Sequence, residues 1–234
     1  MKIYEKITEG LYRILGKRSN IYLLADESLI LVDTGMPGDE EIILSAVQKI
    51  GWSPDKLKYI FITHAHLDHV GSLAALKAVT GARVVASQIE RDHIEGRRML
   101  CSMKREGASG KVFRVILFIL ENFLQRYAPA QVDMPCRESA GPESIEGINI
   151  IATPGHSPGS LSYFHKGKKL LFTGDALSSA PYLRLPPRAG CSSYAQALGS
   201  VKALAEFDFE VCLFGHGRPL TDNARTELQV LLHS

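Results

Sequence analysis

The 234-residue sequence lacks the features that mark several large classes of protein. Its longest apolar run, residues 115–120, is far shorter than the roughly 20 residues that span a bilayer. We therefore expect no transmembrane helix. Residues 1–14 mix charged with apolar side chains and lack the uninterrupted apolar stretch of a secretory signal peptide. The expected location is the cytoplasm.

The sequence also has few cysteines and a small net charge. The four cysteines are far apart and form no C-x-x-C pair, so we expect free thiols rather than a redox motif or a structural zinc knuckle. The formal net charge is only +2, whereas a nucleic-acid-binding domain is usually clearly basic. We therefore expect no nucleic-acid partner. The cysteines are Cys101, Cys136, Cys191 and Cys212.

The first half of the chain carries the pattern of short strands followed by helices. Residues 3–32 alternate apolar and polar positions, and residues 26–28 separate two apolar runs as a hairpin turn does. Residues 39–50 place apolar side chains on one helical face, and residues 59–62 read as a buried strand. Residues 70–79 are helical by composition.

The second half repeats this rhythm, with strands predicted at 148–152, 161–164, 170–172 and 211–214, and helices at 194–207 and 223–232. Between the halves, a segment at about residues 89–128 reads as mostly helix and interrupts the strands. We predict a single domain over residues 1–234 with this segment as an insertion. Two similar halves indicate a duplicated half-domain around one layered core.

A cluster of metal-ligand residue types follows the strand predicted at residues 59–62. Its members are His64, His66, Asp68 and His69. His64 and His66 are two residues apart in an extended segment, so both side chains point the same way. Zinc accepts imidazole and carboxylate donors at about 2.0–2.2 Å, and one ion cannot use all four donors and keep an open position. The cluster is better suited to two metal ions.

Three later segments supply further donors, and each comes at the end of a predicted strand. They contain His156, Asp175 and His216, each preceded by a glycine. Glycine permits the sharp backbone turns that a convergent loop cluster needs. Asp175 is suited to bridge two cations because each of its oxygens can face one of them. The other histidines, His93, His165 and His233, are expected to be packing or surface residues.

With these motifs the chain resembles the metallo-β-lactamase superfamily, whose H-x-H-x-D-H motif matches residues 64–69. The later motifs match in order and approximate spacing over nearly the whole chain. The resemblance implies an α+β fold, a four-layer αβ/βα sandwich with the site at one edge. It also implies three sets of metal ligands: His64, His66 and His156 for one ion, Asp68, His69 and His216 for the second, and Asp175 as the bridge.

Asp33 precedes this cluster, in the segment Leu31-Val32-Asp33-Thr34-Gly35. It resembles the aspartate with which the family supports the histidine cluster from behind, without touching the metal. The alternative is an ordinary turn residue.

The expected chemistry is hydrolysis by a hydroxide bound to two metal ions. Two divalent cations lower the pKa of a shared water toward 7, and one of them polarises the substrate oxygen. Asp68 is the candidate catalytic residue because it can orient the hydroxide as well as bind metal. Zinc is our first choice, and iron or manganese accepts the same donors.

Three features narrow the substrate class. Asp175 stands where the best-known subclass of β-lactamases has a cysteine, so antibiotic hydrolysis is not the first expectation. Residues 153–160, T-P-G-H-S-P-G-S, are similar to the glyoxalase II-like branch, which hydrolyses thioesters. Only 18 residues follow His216, too few for that branch's glutathione-binding helical domain. We expect a thioester or lactone substrate, and neither glutathione specificity nor RNA processing.

Two functions of other classes compete with this one. Persulfide dioxygenases share much of the motif but use a single iron for oxidation, whereas His69 and His216 here complete a second set of metal ligands. A partner-binding module with a vestigial site is the other alternative, and no ligand position is lost. Both fit the sequence less well than a two-metal hydrolase.

The insertion carries two features that bear on substrate and assembly. Residues 97–114 contain six basic residues and one acidic residue. This excess of charge either attracts an anionic substrate or is a solvated helical face. Residues 115–124 are apolar on more than one face of a helix, which fits a lid over an acyl pocket, a homodimer contact or core packing.

Candidate substrate contacts lie in a proline-rich loop after Asp175. They are Tyr182, Arg184 and Arg188. We expect one of the two arginines to bind a carboxylate or phosphate, so the expected partner is a small acyl or anionic molecule.

Overall fold

The computed structural model describes residues 2–97, 127–137 and 144–233 of the chain. The chain divides into two compact units. The first contains Met1–Arg98 and Tyr127–Cys136, and the second contains Met99–Arg126 and Arg137–Ser234. Most of the insertion predicted at residues 89–128, including its basic and apolar stretches, lies outside the described residues. The prediction of one domain over residues 1–234 stays a prediction.

The first unit is built on a seven-stranded sheet whose strands lie in chain order. Its strands are β1 (Tyr4–Thr8), β2 (Leu11–Leu15), β3 (Asn20–Ala25), β4 (Leu29–Val32), β5 (Leu57–Phe61), β6 (Arg83–Ser87) and β7 (Met134–Cys136). The first four strands are antiparallel, and β4 to β7 are parallel. The hairpin predicted at residues 26–28 is confirmed by the pairing of β3 with β4.

Helices lie in the connections between the parallel strands, because parallel strands need a crossover and cannot be joined by a tight turn. They are α1 (Glu40–Lys49), α2 (Leu67–Val70), α3 (Leu73–Thr80) and α4 (Arg91–Ile94). Helix α1 confirms the helix predicted at residues 39–50. Its buried face carries Ile43, Ala46 and Val47, three of the apolar positions that gave the prediction.

The helix predicted at residues 70–79 is instead two helices with a break at Gly71 and Ser72. At Gly71 the backbone passes so close to the 36–37 turn that a Cβ atom would lie 2.5 Å from the Met36 carbonyl carbon and closer still to Pro37. The Ser72 hydroxyl donates to the Met36 carbonyl oxygen at 2.7 Å. This tertiary contact has no signature in local helix propensity, so the pattern missed it.

The second unit contains a five-stranded sheet in the order β12-β11-β10-β9-β8. Its strands are β8 (Ser144–Ile145), β9 (Ile148–Ala152), β10 (Leu161–His165), β11 (Leu170–Gly174) and β12 (Val211–Phe214). Strands β8 to β11 pair antiparallel, and β12 runs parallel to β11. The four longer strands, β9 to β12, confirm the strands predicted at residues 148–152, 161–164, 170–172 and 211–214.

Two helices complete the second unit, α5 (Tyr194–Leu204) and α6 (Ala224–His233). Val201 and Leu204 of α5 and Leu228 of α6 pack in one core cluster with Phe214 of β12. Among the described residues, no helix is long and apolar enough to cross a membrane. Over the same residues Cys136, Cys191 and Cys212 form no disulfide.

Strands β7 and β8 were not predicted. Strand β7 reads Met-Pro-Cys, and a proline, which cannot donate to a sheet ladder, argues against a strand interior. Because β7 is the edge strand of its sheet, Pro135 is tolerated there. Strand β8 has only two residues, too few for a periodic signal.

The close approach at Gly71 yields a stability prediction. Gly71→Ala is expected to destabilise the fold by about 1–3 kcal/mol, because the added methyl group must push backbone apart. Gly199→Ala is the matched control, since its Cβ meets nothing within 4 Å and alanine stabilises an exposed helix interior by about 0.5–1 kcal/mol. Thermal and urea unfolding measure both. A Gly71→Ala protein as stable as the wild type would contradict the packing described here.

Candidate metal centre

The four donors of the first unit lie beyond the carboxyl end of strand β5. The neighbouring parallel strand β4 ends beside it, since the Asp33 amide donates to the Phe61 carbonyl oxygen at 2.9 Å. Carboxyl ends of parallel strands meet at one sheet edge, where ligands commonly bind. Asp33, leaving β4, and Thr63, leaving β5, therefore come together directly behind the histidine cluster.

Asp33 is held in an unusual backbone conformation, with φ of 60°. Its side chain accepts hydrogen bonds from the Thr63 amide at 2.8 Å and from the Thr63 hydroxyl at 2.9 Å. It also lies 2.8 Å from His69 Nδ1. Asp33 and His69 are almost completely buried, at 2% and 0% exposure. Such left-handed residues tend to persist where the surrounding structure holds them for a purpose.

These hydrogen bonds decide which nitrogen of each histidine is available to a metal. An ionised carboxylate only accepts, so His69 Nδ1 carries the proton that it donates to Asp33, and Nε2 has the lone pair. The Thr63 hydroxyl donates to Asp33 and lies 3.0 Å from His64 Nδ1. It can therefore accept a hydrogen bond from a proton on His64 Nδ1, which leaves the lone pair of His64 on Nε2. Histidines that bind metals usually have such partners.

The donor atoms of this unit are close to one another. His64 Nε2 lies 2.9 Å from His66 Nδ1, and His69 Nε2 lies 4.0 Å from Asp68 Oδ1. The His64 and His69 ring centroids are 4.1 Å apart. Helix α2 begins directly after His66 and carries both Asp68 and His69. All four residues predicted from this motif are thus gathered at one sheet edge.

The three donors of the second unit also share a sheet edge. Strands β9, β11 and β12 point in the same direction, because β10 is antiparallel to both β9 and β11, and β12 is parallel to β11. His156, Asp175 and His216 follow the carboxyl ends of these three strands. His156 Nε2 and His216 Nε2 lie 3.5 Å and 3.4 Å from the same oxygen, Asp175 Oδ2.

This spacing fits metal coordination. Two donors at about 2.0–2.1 Å from one tetrahedral zinc ion are about 3.3 Å apart, close to both distances in the second unit. The donor set, imidazole nitrogens with carboxylate oxygens, is also one that zinc, iron and manganese accept. Each of the seven predicted ligands belongs to a donor group that could hold a metal ion.

The loop that carries His156 is fastened to the start of helix α5. Gly155 has φ of 138°, and a Cβ atom there would lie 2.6 Å from the Ala197 Cβ and closer still to the Ala197 backbone. The Ser193 amide donates to the Gly155 carbonyl oxygen at 3.0 Å, and the Ser192 amide donates to that of His156 at 3.1 Å. Only glycine fits this approach, so the glycine before His156 positions the donor.

Two residues that sequence reasoning missed hold the peptide between His64 and His66. The Ala65 amide donates to the Glu90 carboxylate at 3.3 Å. The Tyr127 hydroxyl is shared between two carbonyl oxygens, that of Ala65 at 3.3 Å and that of His93 at 3.2 Å. Burial, together with the charge of Glu90, raises the pKa of Tyr127 above its ordinary value. The hydroxyl therefore remains a donor. No sequence motif marks these residues, because both act on a backbone group.

The three candidate substrate contacts have different surroundings in the structure. Arg184 lines a cavity of about 370 Å³ together with His156, Asp175 and His216. Tyr182 is 69% exposed and is not part of that lining. Arg188 instead lies over the ring of Tyr194, with 4.5 Å from the guanidinium carbon to the ring centroid. Of the remaining histidines, His165 accepts from the Lys168 amide at 3.2 Å.

The sequence matches one family model and several known proteins. The family model described as the metallo-beta-lactamase superfamily matches residues 15–216. The probable metallo-hydrolase YflN of Bacillus subtilis is 25% identical over 95% of this chain and 90% of that protein. A hydroxyacylglutathione hydrolase of Brucella anthropi is 31% identical over 59% of this chain, but the match spans only 39% of that protein.

Solved structures show the same fold. A metallo-beta-lactamase family protein of Thermus thermophilus has a TM-score of 0.72 at 23% identity, and the match covers 97% of this chain and 80% of the other. A beta-lactamase of Chitinophaga pinensis has a TM-score of 0.71 at 20% identity, with 99% and 90% covered. These likenesses confirm the predicted α+β sandwich.

The hydrogen bonds of Asp33 predict a metal-affinity effect. Asp33→Asn keeps the shape of the side chain and tolerates the left-handed backbone, but it weakens acceptance from His69 and the Thr63 hydroxyl. Zinc affinity, measured by competition with a chromogenic chelator, is expected to fall about 10- to 100-fold. Glu41→Gln, an exposed change on α1, is the control and should leave zinc affinity unchanged. Equal affinities in all three proteins would exclude the role of Asp33.

Proposed function

Because this chain belongs to the metallo-beta-lactamase superfamily, we propose that it is a metal-dependent hydrolase that cleaves an ester-like bond, with thioesters and lactones favoured. The observation that carries the proposal is the orientation of the buried histidines. His64 and His69 each engage Nδ1 with Thr63 or Asp33, which leaves Nε2 for a metal. A vestigial site has no need of this arrangement.

The proposed centre contains two divalent cations, with zinc as the first choice. One ion is assigned to His64, His66 and His156, and the second to Asp68, His69 and His216. Asp175 is assigned to both, which the position of Asp175 Oδ2 near two histidines supports. When bound, such a pair of cations supplies a Lewis acid and lowers the pKa of water.

The residues of the chain orient the reactants. In the proposed reaction the oxygen of water adds to the acyl carbon, the bond from that carbon to sulfur or oxygen breaks, and the leaving group departs with a proton. Asp68 is proposed to hold the attacking water by accepting one of its hydrogen bonds. Its side chain is 24% exposed, so the carboxylate can reach both the site and solvent. Ser19, which donates to the Asp68 carbonyl oxygen, fixes the Asp68 backbone.

A thioester or lactone substrate is supported by two observations. The T-P-G-H-S-P-G-S segment resembles the glyoxalase II-like branch, and hydroxyacylglutathione hydrolases are among the relatives of this chain. Asp175, rather than cysteine, lies between the two histidines. The cytoplasmic location and the homodimer considered from the sequence stay predictions.

A turnover panel tests the function. Metal-quantified protein, reconstituted separately with zinc and with iron, is assayed on thioesters, lactones, phosphodiesters and persulfides. We expect thioester or lactone hydrolysis with zinc, no oxygen uptake, and loss of turnover on chelation with recovery when zinc is restored. Oxygen consumption with iron and a persulfide would instead indicate a dioxygenase. Absence of turnover in every arm would reject the enzyme proposal.

The role of Asp68 predicts a loss of rate. Asp68→Asn is expected to lower kcat about 10²- to 10⁴-fold, the range of a residue that manages a proton in the transition state. Because Asp68 is also an assigned ligand, the zinc content of the variant is measured in parallel and activity is expressed per bound metal. Asp222→Asn, an exposed substitution, is the control. Unchanged kcat in Asp68→Asn would remove Asp68 from the mechanism.

A further inference from the structure

Arg184 is the lining residue that brings a permanent positive charge to the cavity of the second unit. The donors His156, Asp175 and His216 line the same cavity of about 370 Å³, a volume typical of small-molecule sites. Among the described residues, the Arg184 guanidinium has no carboxylate partner. A charge without an ion pair, beside a set of metal donors, is available to a substrate.

The backbone of Arg184 is fixed to the metal-donor segment. The Arg184 amide donates to the Ser178 carbonyl oxygen at 2.8 Å, and the Ser178 amide donates back to the Arg184 carbonyl oxygen at 3.2 Å. The Ser179 amide and the Ser178 hydroxyl both donate to the His216 carbonyl oxygen, at 3.1 Å and 3.3 Å. The arginine is therefore carried on a loop whose position is tied to His216.

The rest of the lining is largely apolar. Ala180, Pro186 and Pro187 are among its lining residues, and the buried Leu177 lies behind them. A wall of this kind accepts a short hydrocarbon chain, and an arginine beside it matches a carboxylate or phosphate with two parallel hydrogen bonds. The lining therefore fits a molecule with an apolar middle and an anionic end.

Arg188 differs from Arg184 although it lies four residues away in the same loop. Its guanidinium is stacked on Tyr194, an interaction that holds a cation against an aromatic face. It is not part of the cavity lining. Arg188 thus has a partner within the protein, and it provides a matched control for Arg184.

We infer that Arg184 is a specificity-determining residue that binds the anionic end of the substrate, so that the preferred substrates are short acyl compounds carrying a carboxylate or phosphate group. This inference rests on the proposed hydrolase function and narrows it to a substrate class. Because the Arg184 side chain is exposed and its loop is held by backbone hydrogen bonds, its replacement should leave the fold intact.

The test compares three thioesters with one leaving group and acyl chains of matched length: butyryl, succinyl and 3-phosphonopropanoyl. In the wild type, kcat/KM is expected to favour one of the anionic esters, and which of them is favoured distinguishes carboxylate from phosphate recognition. Arg184→Ala should lower kcat/KM for that ester about 10- to 100-fold, the value of a hydrogen bond to a charged group. The butyryl ester should change less than about threefold, well below that value.

A binding measurement separates this inference from the function. Calorimetry with the zinc-loaded protein compares succinate and 3-phosphonopropanoate with neutral succinamide. For one of the anions, the affinity of the wild type should exceed that of Arg184→Ala by a factor similar to the change in kcat/KM. The affinity of Arg184→Lys should lie between these two. Arg188→Ala should bind the anion as tightly as the wild type does. Equal losses for neutral and anionic esters, or equal anion binding in wild type and Arg184→Ala, would overturn the inference. Failure of all turnover with anion binding intact would count against the hydrolase proposal alone.

Discussion

One buried carboxylate, that of Asp33, accepts three hydrogen bonds and thereby organises the donor cluster of the first unit. The bond from His69 fixes that ring directly, and the bond from the Thr63 hydroxyl fixes His64 through one intermediate. Without an acceptor at this place, either nitrogen of each ring could carry the proton, and for each ring one of the two tautomers would turn a protonated nitrogen toward a bound metal. The strained backbone of Asp33 is the cost of putting a carboxylate behind two rings at once.

The seven candidate donors could be recognised in the sequence because they are carried in short motifs that follow apolar strand ends. A strand end fixes where a side chain emerges, and a glycine beside it permits the turn. Asp33 has two interpretations from the sequence, since an aspartate after a strand is equally an ordinary turn residue. In the structure, Asp33 has the left-handed backbone conformation of a turn residue and is also hydrogen-bonded to His69. Asp33 is therefore both a turn residue and a support for the histidine cluster.

Other features depend on contacts between distant parts of the chain and have no local signal. Gly71 breaks a helix because the turn at Pro37 lies against it, and Pro135 is tolerated in β7 because β7 is the last strand of its sheet over the described residues. Arg184 and Arg188 are indistinguishable in sequence, as both occupy the same proline-rich loop. Their roles separate only when Tyr194, which begins helix α5, is seen beneath one of them.

The two hydrogen bonds to the Ala65 backbone bear on which parts of the sequence can change without moving the histidine loop. Glu90 and Tyr127 come from the two ends of the segment at about residues 89–128, and both hold the same alanine. Because both contacts are made by the ends of this segment, we expect substitutions between the two ends to leave the hydrogen bonds to Ala65, and with them the loop of His64 and His66, in place.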